Sequence, residues 1–233
     1  MYGGHELTIE LSDPMAEGWY DRDGPSPVGT ALLREREVLK PGARVFNFGA
    51  HQGLVALIFA REVGPSGQVV AIEAVRHNAR AAETNRVLNA ASNMHVLHAA
   101  GAAAEGMIPF TESFNGRADE HGLTSIQARS VDGLARAYGD PDVVFVDVEG
   151  YEEQVLRGAA ATLANRRTAF VVEVHKPETL ARYGATVEDV FGYFTKGFDV
   201  FVTLGDQMPL APAHALEGRG FLVALPAASD LAG

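Results

Sequence analysis

Carboxylates and a histidine stand where short apolar runs end, and their spacing suggests acid–base chemistry. The segment Val143-Val144-Phe145-Val146-Asp147-Val148-Glu149-Gly150-Tyr151-Glu152 closes an apolar run with two acids two residues apart and a third just beyond. Side chains at i and i+2 of an extended segment point the same way, so Asp147 and Glu149 can converge at the end of a strand. Capping of the following helix is an alternative use for Glu149 and Glu152. It leaves Asp147 unexplained, because an acid beside apolar strand residues needs a partner or a ligand. The segment Val171-Val172-Glu173-Val174-His175-Lys176-Pro177 repeats the arrangement with an acid and a histidine two apart. His175 there could be a general base, a metal ligand, a substrate donor or a structural residue. Together with Asp147, Glu149 and Glu173 it could complete a divalent-metal site, since hard cations take several oxygen ligands, but nothing in the sequence requires one.

A second feature is the glycine-bracketed turn Val45-Phe46-Asn47-Phe48-Gly49-Ala50-His51-Gln52-Gly53, which runs into the apolar stretch Leu54 to Val63. Glu73 ends the next apolar run, Gln68-Val69-Val70-Ala71-Ile72. Glycines let the backbone approach a ligand, a helix N-terminus presents free N–H groups, and an acid about 20 residues on can accept ribose hydroxyls. The alternatives are a tight turn without a ligand and a Glu73 that caps the helix after it. The turn lacks the G-x-G-x-x-G spacing that supports a pyrophosphate, which argues against a nicotinamide or flavin cofactor. S-adenosylmethionine is an adenosine ligand without phosphates, and it fits.

These residues need a scaffold that brings strand ends together. Candidate strands are Arg44–Phe48, Gln68–Ile72, Met94–His98, Val143–Val148, Ala169–Val174, Asp199–Thr203 and Phe221–Leu225, and candidate helices are Gly29–Val38, Leu54–Val63, Asn78–Asn89, Ser130–Tyr138, Tyr151–Ala164 and Val187–Lys196. The strand runs are continuously apolar, as in a parallel sheet covered on both faces. Leu204 to Pro212 is too rich in proline and glycine for a crossover helix, so the last two strands are expected to pair antiparallel. The fold class is therefore α/β: a Rossmann-like, mostly parallel seven-stranded sheet with an antiparallel last strand and helices on both faces, as in class I methyltransferases. Residues 1–43 read as a cap on the same domain, with 44–233 forming the cofactor-binding body. Trp19, Asp21 and Arg22 either line an acceptor pocket or anchor that cap. His121 precedes a polar loop that could fold over the cleft or lie in solvent. His77, His95 and His98 carry no assignment.

The bulk composition narrows the function classes. A length of 233 residues suits one domain, and 47% hydrophobic with 21% charged residues describes a soluble globular chain. A net charge of -11 without a basic patch argues against nucleic acid as partner. No apolar run is long enough for a membrane span and no secretory signal opens the chain, so a cytoplasmic location is expected. The absence of cysteine excludes disulfides, thiolate metal sites and a cysteine nucleophile.

With these residues in place, the chain resembles the FkbM-type family of S-adenosylmethionine-dependent methyltransferases. The most specific block is Phe145-Val146-Asp147-Val148-Glu149-Gly150-Tyr151-Glu152 followed by Val155-Leu156-Arg157-Gly158-Ala159, and the second is Phe48-Gly49-Ala50-His51-Gln52-Gly53. Smaller echoes are Ala71-Ile72-Glu73-Ala74, Ala99-Ala100-Gly101, Leu123-Thr124-Ser125-Ile126 and Glu173-Val174-His175. The resemblance implies a cofactor site from Asn47, Phe48, Gly49, Ala50, His51, Gly53, Glu73, Ala74, Ala100 and Asp147, and catalytic roles for Asp147, Glu149 and His175. It also implies S-adenosyl-L-methionine as cofactor and O-methylation of a sugar or polyketide-like hydroxyl on a small-molecule acceptor. Asn47 stands where the family usually has Asp, and His51 where it has Asn. The rival functions are an N-methyltransferase on a small or peptide-like acceptor and an inactive cofactor-binding relative.

Overall fold

The structure is a computed structural model and describes residues 1–112, 117–118, 122–204, 211–212 and 218–227. Its main sheet is built from β1 (Arg44–Phe48), β2 (Gln68–Glu73), β3 (Met94–His98), β4 (Val143–Val146), β5 (Ala169–Val174), β6 (Phe198–Thr203) and β7 (Gly220–Pro226). The order is β6-β7-β5-β4-β1-β2-β3. β1 lies parallel between β2 and β4, while β7 is inserted antiparallel between β5 and β6. This is the seven-stranded, mostly parallel sheet with a reversed last strand that the sequence leads one to expect.

The unbroken apolar character of the strands has a direct cause. Phe46, Phe48, Val144, Val146, Phe170 and Val172 enter one core with Leu134, Leu156 and Val190. The alternate residues Val45, Val143, Phe145, Val171 and Val223 enter a second core with Leu33, Leu57 and Phe59 on the opposite face. Side chains alternate with a period of two, so a strand buried on both faces must be apolar throughout.

Several expected boundaries shift. β4 stops at Val146, because Glu149 (φ 55) and Gly150 (φ 99) take the left-handed conformation and turn the chain out of the sheet. The expected helix Tyr151–Ala164 is two helices, Glu152–Arg157 and Ala160–Asn165. They part at Gly158, where a Cβ would meet the Ala102 carbonyl oxygen at 2.3 Å. The expected helix Val187–Lys196 ends at Gly192, Gly29–Val38 shortens to Thr30–Glu35, and Asn78–Asn89 becomes Arg76–Leu88. Ser130 is the N-cap of helix Val131–Tyr138, with its side chain accepting the Gly133 N–H at 3.0 Å.

Two pieces of sheet go beyond the sequence reading. Ala211–Pro212 pairs outside β6 as a two-residue eighth strand. A separate four-stranded sheet joins Ala100–Gly101, Thr124–Arg129, Gly106–Thr111 and Arg117–Ala118 in that order. His121 lies outside the described residues. Among those described, no helix is long and apolar enough to cross a membrane.

The N-terminal segment adheres to the body through buried amide side chains. Asn89 pairs with both backbone groups of Thr8, at 3.0 and 2.7 Å, and Asn85 does the same for Glu10, at 2.6 and 3.1 Å. Gln52 Oε1 accepts the Ser12 N–H at 3.0 Å. Each amide offers a donor and an acceptor, so these side chains imitate the edge of a strand. The segment thereby runs along helix Arg76–Leu88 and then into the short helix Pro14–Tyr20, capped by Asp13.

Candidate active site

The turn after β1 is held from both sides. Gly49 and Ala50 donate N–H groups to the Ile72 carbonyl at 2.9 and 3.0 Å, and Asp147 donates to the Phe48 carbonyl at 3.0 Å. At Gly49 (φ 78) a Cβ would stand 1.7 Å from the Asp147 carbonyl oxygen, so no other residue fits without moving one of the two turns. His51 (φ 48) follows, and Gly53 (φ 87) opens helix Leu54–Val63.

Glu73, at the end of β2, sits behind this turn at 5% exposure. Its Oε2 accepts the His51 N–H and its Oε1 the Val75 N–H, each at 2.7 Å. Burial pushes the carboxyl up to about 7, against those hydrogen bonds, which act to lower it. His51 packs against Trp19 and, edge-on, against Tyr20, with ring centroids 5.2 and 5.5 Å away, and the Tyr20 hydroxyl lies 3.1 Å from its Nδ1. Burial draws the His51 imidazole down to about 4, so the ring is neutral near pH 7.

The second cluster gathers at the ends of β4 and β5. The buried imidazole of His175 stands with Nδ1 2.8 Å from Glu152 Oε1 and Nε2 3.3 Å from Glu149 Oε2 and 3.9 Å from Asp147 Oδ1. Asp147 and Glu149 thus converge, but through the left-handed turn at Glu149 rather than through the pleat of an extended strand. Desolvation and the adjacent Glu173 carboxylate hold the Asp147 carboxyl well above the usual carboxylate range. Burial lowers the His175 imidazole, yet its contacts with Glu149 and Glu152 and the charge of Asp147 outweigh this and raise it to about 10. Glu173 in turn accepts the Arg219 Nε–H at 2.6 Å.

Both clusters face one cleft of about 840 Å³ at the carboxyl ends of the parallel strands, which is where open α/β sheets bind ligands. Of the residues singled out from sequence, Gly49, Ala50, His51, Glu73, Ala74, Ala100, Asp147 and Glu149 line it, as do Trp19 and Arg22. Asn47 and Phe48 do not; both are fully buried in β1 behind the turn. Among the described residues the Asn47 amide has no hydrogen-bond partner. Gly53 lies outside the lining, its Cα facing Ala82 of the neighbouring helix, and His175 lies beneath Glu149. Asp21 does not line the cleft either. Lining residues that sequence reasoning missed include Tyr20, Phe110, Tyr151, Arg219 and Phe221. Tyr20 neighbours Trp19 in sequence, which was a usable signal; Phe110 and Arg219 reach the cleft only through the tertiary fold.

A doubly covered parallel sheet with an antiparallel strand inserted between its last two members, a glycine turn after its first strand and an acid after its second has the fold of class I methyltransferases. Residues 47–197, well over half of the chain, match the family described as Methyltransferase FkbM domain, and the chain belongs to that family. Among solved structures, a methyltransferase FkbM from Methylobacillus flagellatus KT is similar at 14% identity and a TM-score of 0.52, over 78% of this chain and 43% of that one. The present chain therefore spans less than half the length of that relative. A SAM-dependent methyltransferase from Aquifex aeolicus is similar at 16% identity and a TM-score of 0.51, over 92% of this chain and 98% of that one. At such identities the likeness is one of fold. No curated protein matches the chain by sequence.

Proposed function

We propose that the chain transfers a methyl group from S-adenosylmethionine to a hydroxyl of a small molecule such as a sugar or polyketide-like compound. The observation that carries this is the placement of Glu73 and Asp147 on opposite sides of one turn, Gly49–His51, in one cleft. The residues present suit the cofactor. Glu73 lines the cleft at the end of β2 and accepts the His51 and Val75 N–H groups, and a carboxylate in that position can also receive a ribose hydroxyl. Ala74, Ala99, Ala100 and Phe110 offer small and apolar surface of the kind that receives an adenine ring. The cleft volume of about 840 Å³ falls within the range of small-molecule sites.

When bound, the cofactor supplies an electrophilic methyl carbon on a sulfonium. The protein has to hold the acceptor oxygen close to that carbon and in line with the carbon–sulfur bond, which is a matter of proximity and orientation. In this reading Asp147, at the cleft wall, takes the hydroxyl proton as the new carbon–oxygen bond forms, with Glu149 and His175 beside it as supporting groups. Trp19, Tyr20 and Phe221 supply apolar wall that excludes water from the reacting atoms. Acids in the lining would also attract a protonated amine, so product analysis has to distinguish oxygen from nitrogen methylation. The test is calorimetry with S-adenosylmethionine followed by methyl transfer to a panel of polyols, aminosugars and hydroxylated macrocycles. Absence of cofactor binding would refute the proposal, and binding without turnover on any acceptor would favour an inactive relative.

A further inference from the structure

Glu152 is fully buried, and its Oε1 accepts the Gly150 N–H at 2.9 Å while standing 2.8 Å from His175 Nδ1. A carboxylate oxygen only accepts, so Nδ1 carries the hydrogen and the ring is fixed with Nε2 facing away from Glu152. His175 is 5% exposed, and Nε2 has no hydrogen-bond partner among the described residues. It meets oxygen instead: Glu149 Oε2 at 3.3 Å and Asp147 Oδ1 at 3.9 Å. A neutral ring would aim a lone pair at two carboxylates, which is repulsive, so a positive centre belongs among the three: the second ring proton of the imidazolium described above, or a cation that takes its place.

We propose that Asp147, Glu149 and His175 bind one divalent transition-metal ion at the acceptor side of the cleft. The three donor atoms lie within 4.8 Å of one another. An ion with bonds of about 2.0–2.2 Å to imidazole nitrogen and carboxylate oxygen holds its donors roughly 3–4 Å apart, so only small side-chain adjustments close the site. One imidazole with two carboxylates is a mixed set that suits manganous, ferrous or zinc ions better than magnesium, which prefers oxygen ligands alone. Glu152 is then the outer carboxylate that fixes the tautomer and orientation of a ligating histidine. Asp147 and Glu149 line the cleft, so the remaining coordination positions face the space an acceptor fills. An ion held there would bind an acceptor oxygen and make its hydroxyl easier to deprotonate. That use rests on the methyltransferase reading; metal binding itself does not.

The test is titration of zinc into the chelator-stripped full chain without cofactor, followed by calorimetry and by ¹⁵N spectra of the histidine rings. One equivalent is expected to bind, with the Nε2 resonance of His175 moving to a ligated position. Affinity should fall about 10–100-fold in Glu149→Gln and in Glu152→Gln, the latter by loss of the outer partner. The Glu149 side chain is 42% exposed, so its substitution is expected to leave the fold intact, and S-adenosylhomocysteine affinity checks this. Three outcomes overturn the proposal: no binding at millimolar zinc, binding unchanged in Glu149→Gln with the His175 signal unmoved, or a His175 Nε2 proton that persists in excess zinc. If S-adenosylhomocysteine binds to none of these proteins, the methyltransferase reading fails and the metal result stands on its own.

Discussion

Glu73 should couple cofactor affinity to pH. Without ligand, burial raises its carboxyl to about 7, so the proton is half retained near neutrality. Ribose hydroxyls donating to it require the carboxylate, so binding must displace that proton. If the bound form titrates near the ordinary 4.5, the dissociation constant rises about 15-fold between pH 7 and about pH 5.5. S-adenosylhomocysteine is the suitable probe, because its amino group titrates above that window, and His51, held at about 4, stays neutral within it. Glu73→Gln should bind about 1–3 kcal/mol more weakly at pH 7 and lose the pH slope, which separates Glu73 from Asp147, the other raised acid in the cleft. Folding stability carries the complementary sign. A folded-state value above the unfolded one favours the neutral form, so the stability present below pH 4.5 is lost as pH rises through about 7, by up to ~3 kcal/mol. A wild-type dissociation constant flat across this window, or the same slope in Glu73→Gln, refutes the ribose assignment.

Other outcomes follow from the same geometry. Asp147→Asn is expected to reduce turnover about 100-fold or more while S-adenosylhomocysteine affinity stays within about threefold; equal losses in both would move Asp147 from the acceptor to the cofactor. Gly49→Ala forces a Cβ to 1.7 Å from the Asp147 carbonyl oxygen, so thermal unfolding should show a loss of more than about 2 kcal/mol together with cofactor binding. Phe170→Ala removes a fully buried ring packed against Phe194 and Phe198, and denaturant titration should show a loss of about 3–5 kcal/mol.

Much of the sheet was legible because burial on both faces writes a continuous apolar signal into β1, β2, β4 and β5. The four-stranded side sheet was not. Its strand Thr124–Arg129 buries only Ile126 and Ala128 while Thr124, Ser125 and Gln127 are exposed, and Gly106–Thr111 contains Pro109, so neither gives a strong strand pattern. Helix ends slipped for a local reason as well: the break at Gly158 depends on the Ala102 backbone, which lies far away in sequence. In the candidate site, the glycine turn and the acids at strand ends could be read from spacing, since topology alone brings parallel strand ends together. The orientation of His175 by Glu152 could not, because it depends on a left-handed Glu149 that no pattern of residue types announces.

The two walls of the cleft differ in how freely they can change. The wall built from the ends of β1, β2 and β4 is locked by register, by two opposed cores and by a glycine contact that tolerates no added atom. The facing wall comes from the N-terminal segment and from Phe110 and Ala118 of the side sheet. Both lie outside the register of the parallel sheet, and the first is fastened by a few amide pairs to residues 85, 89 and 52. Substitutions there can reshape the cavity without touching the strands that present Glu73 and Asp147. On the proposed function, such a division would let a lineage exchange one acceptor for another while the Glu73 side of the cleft stays fixed, and it makes residues 19–28, 110 and 118 the place to engineer a new acceptor preference.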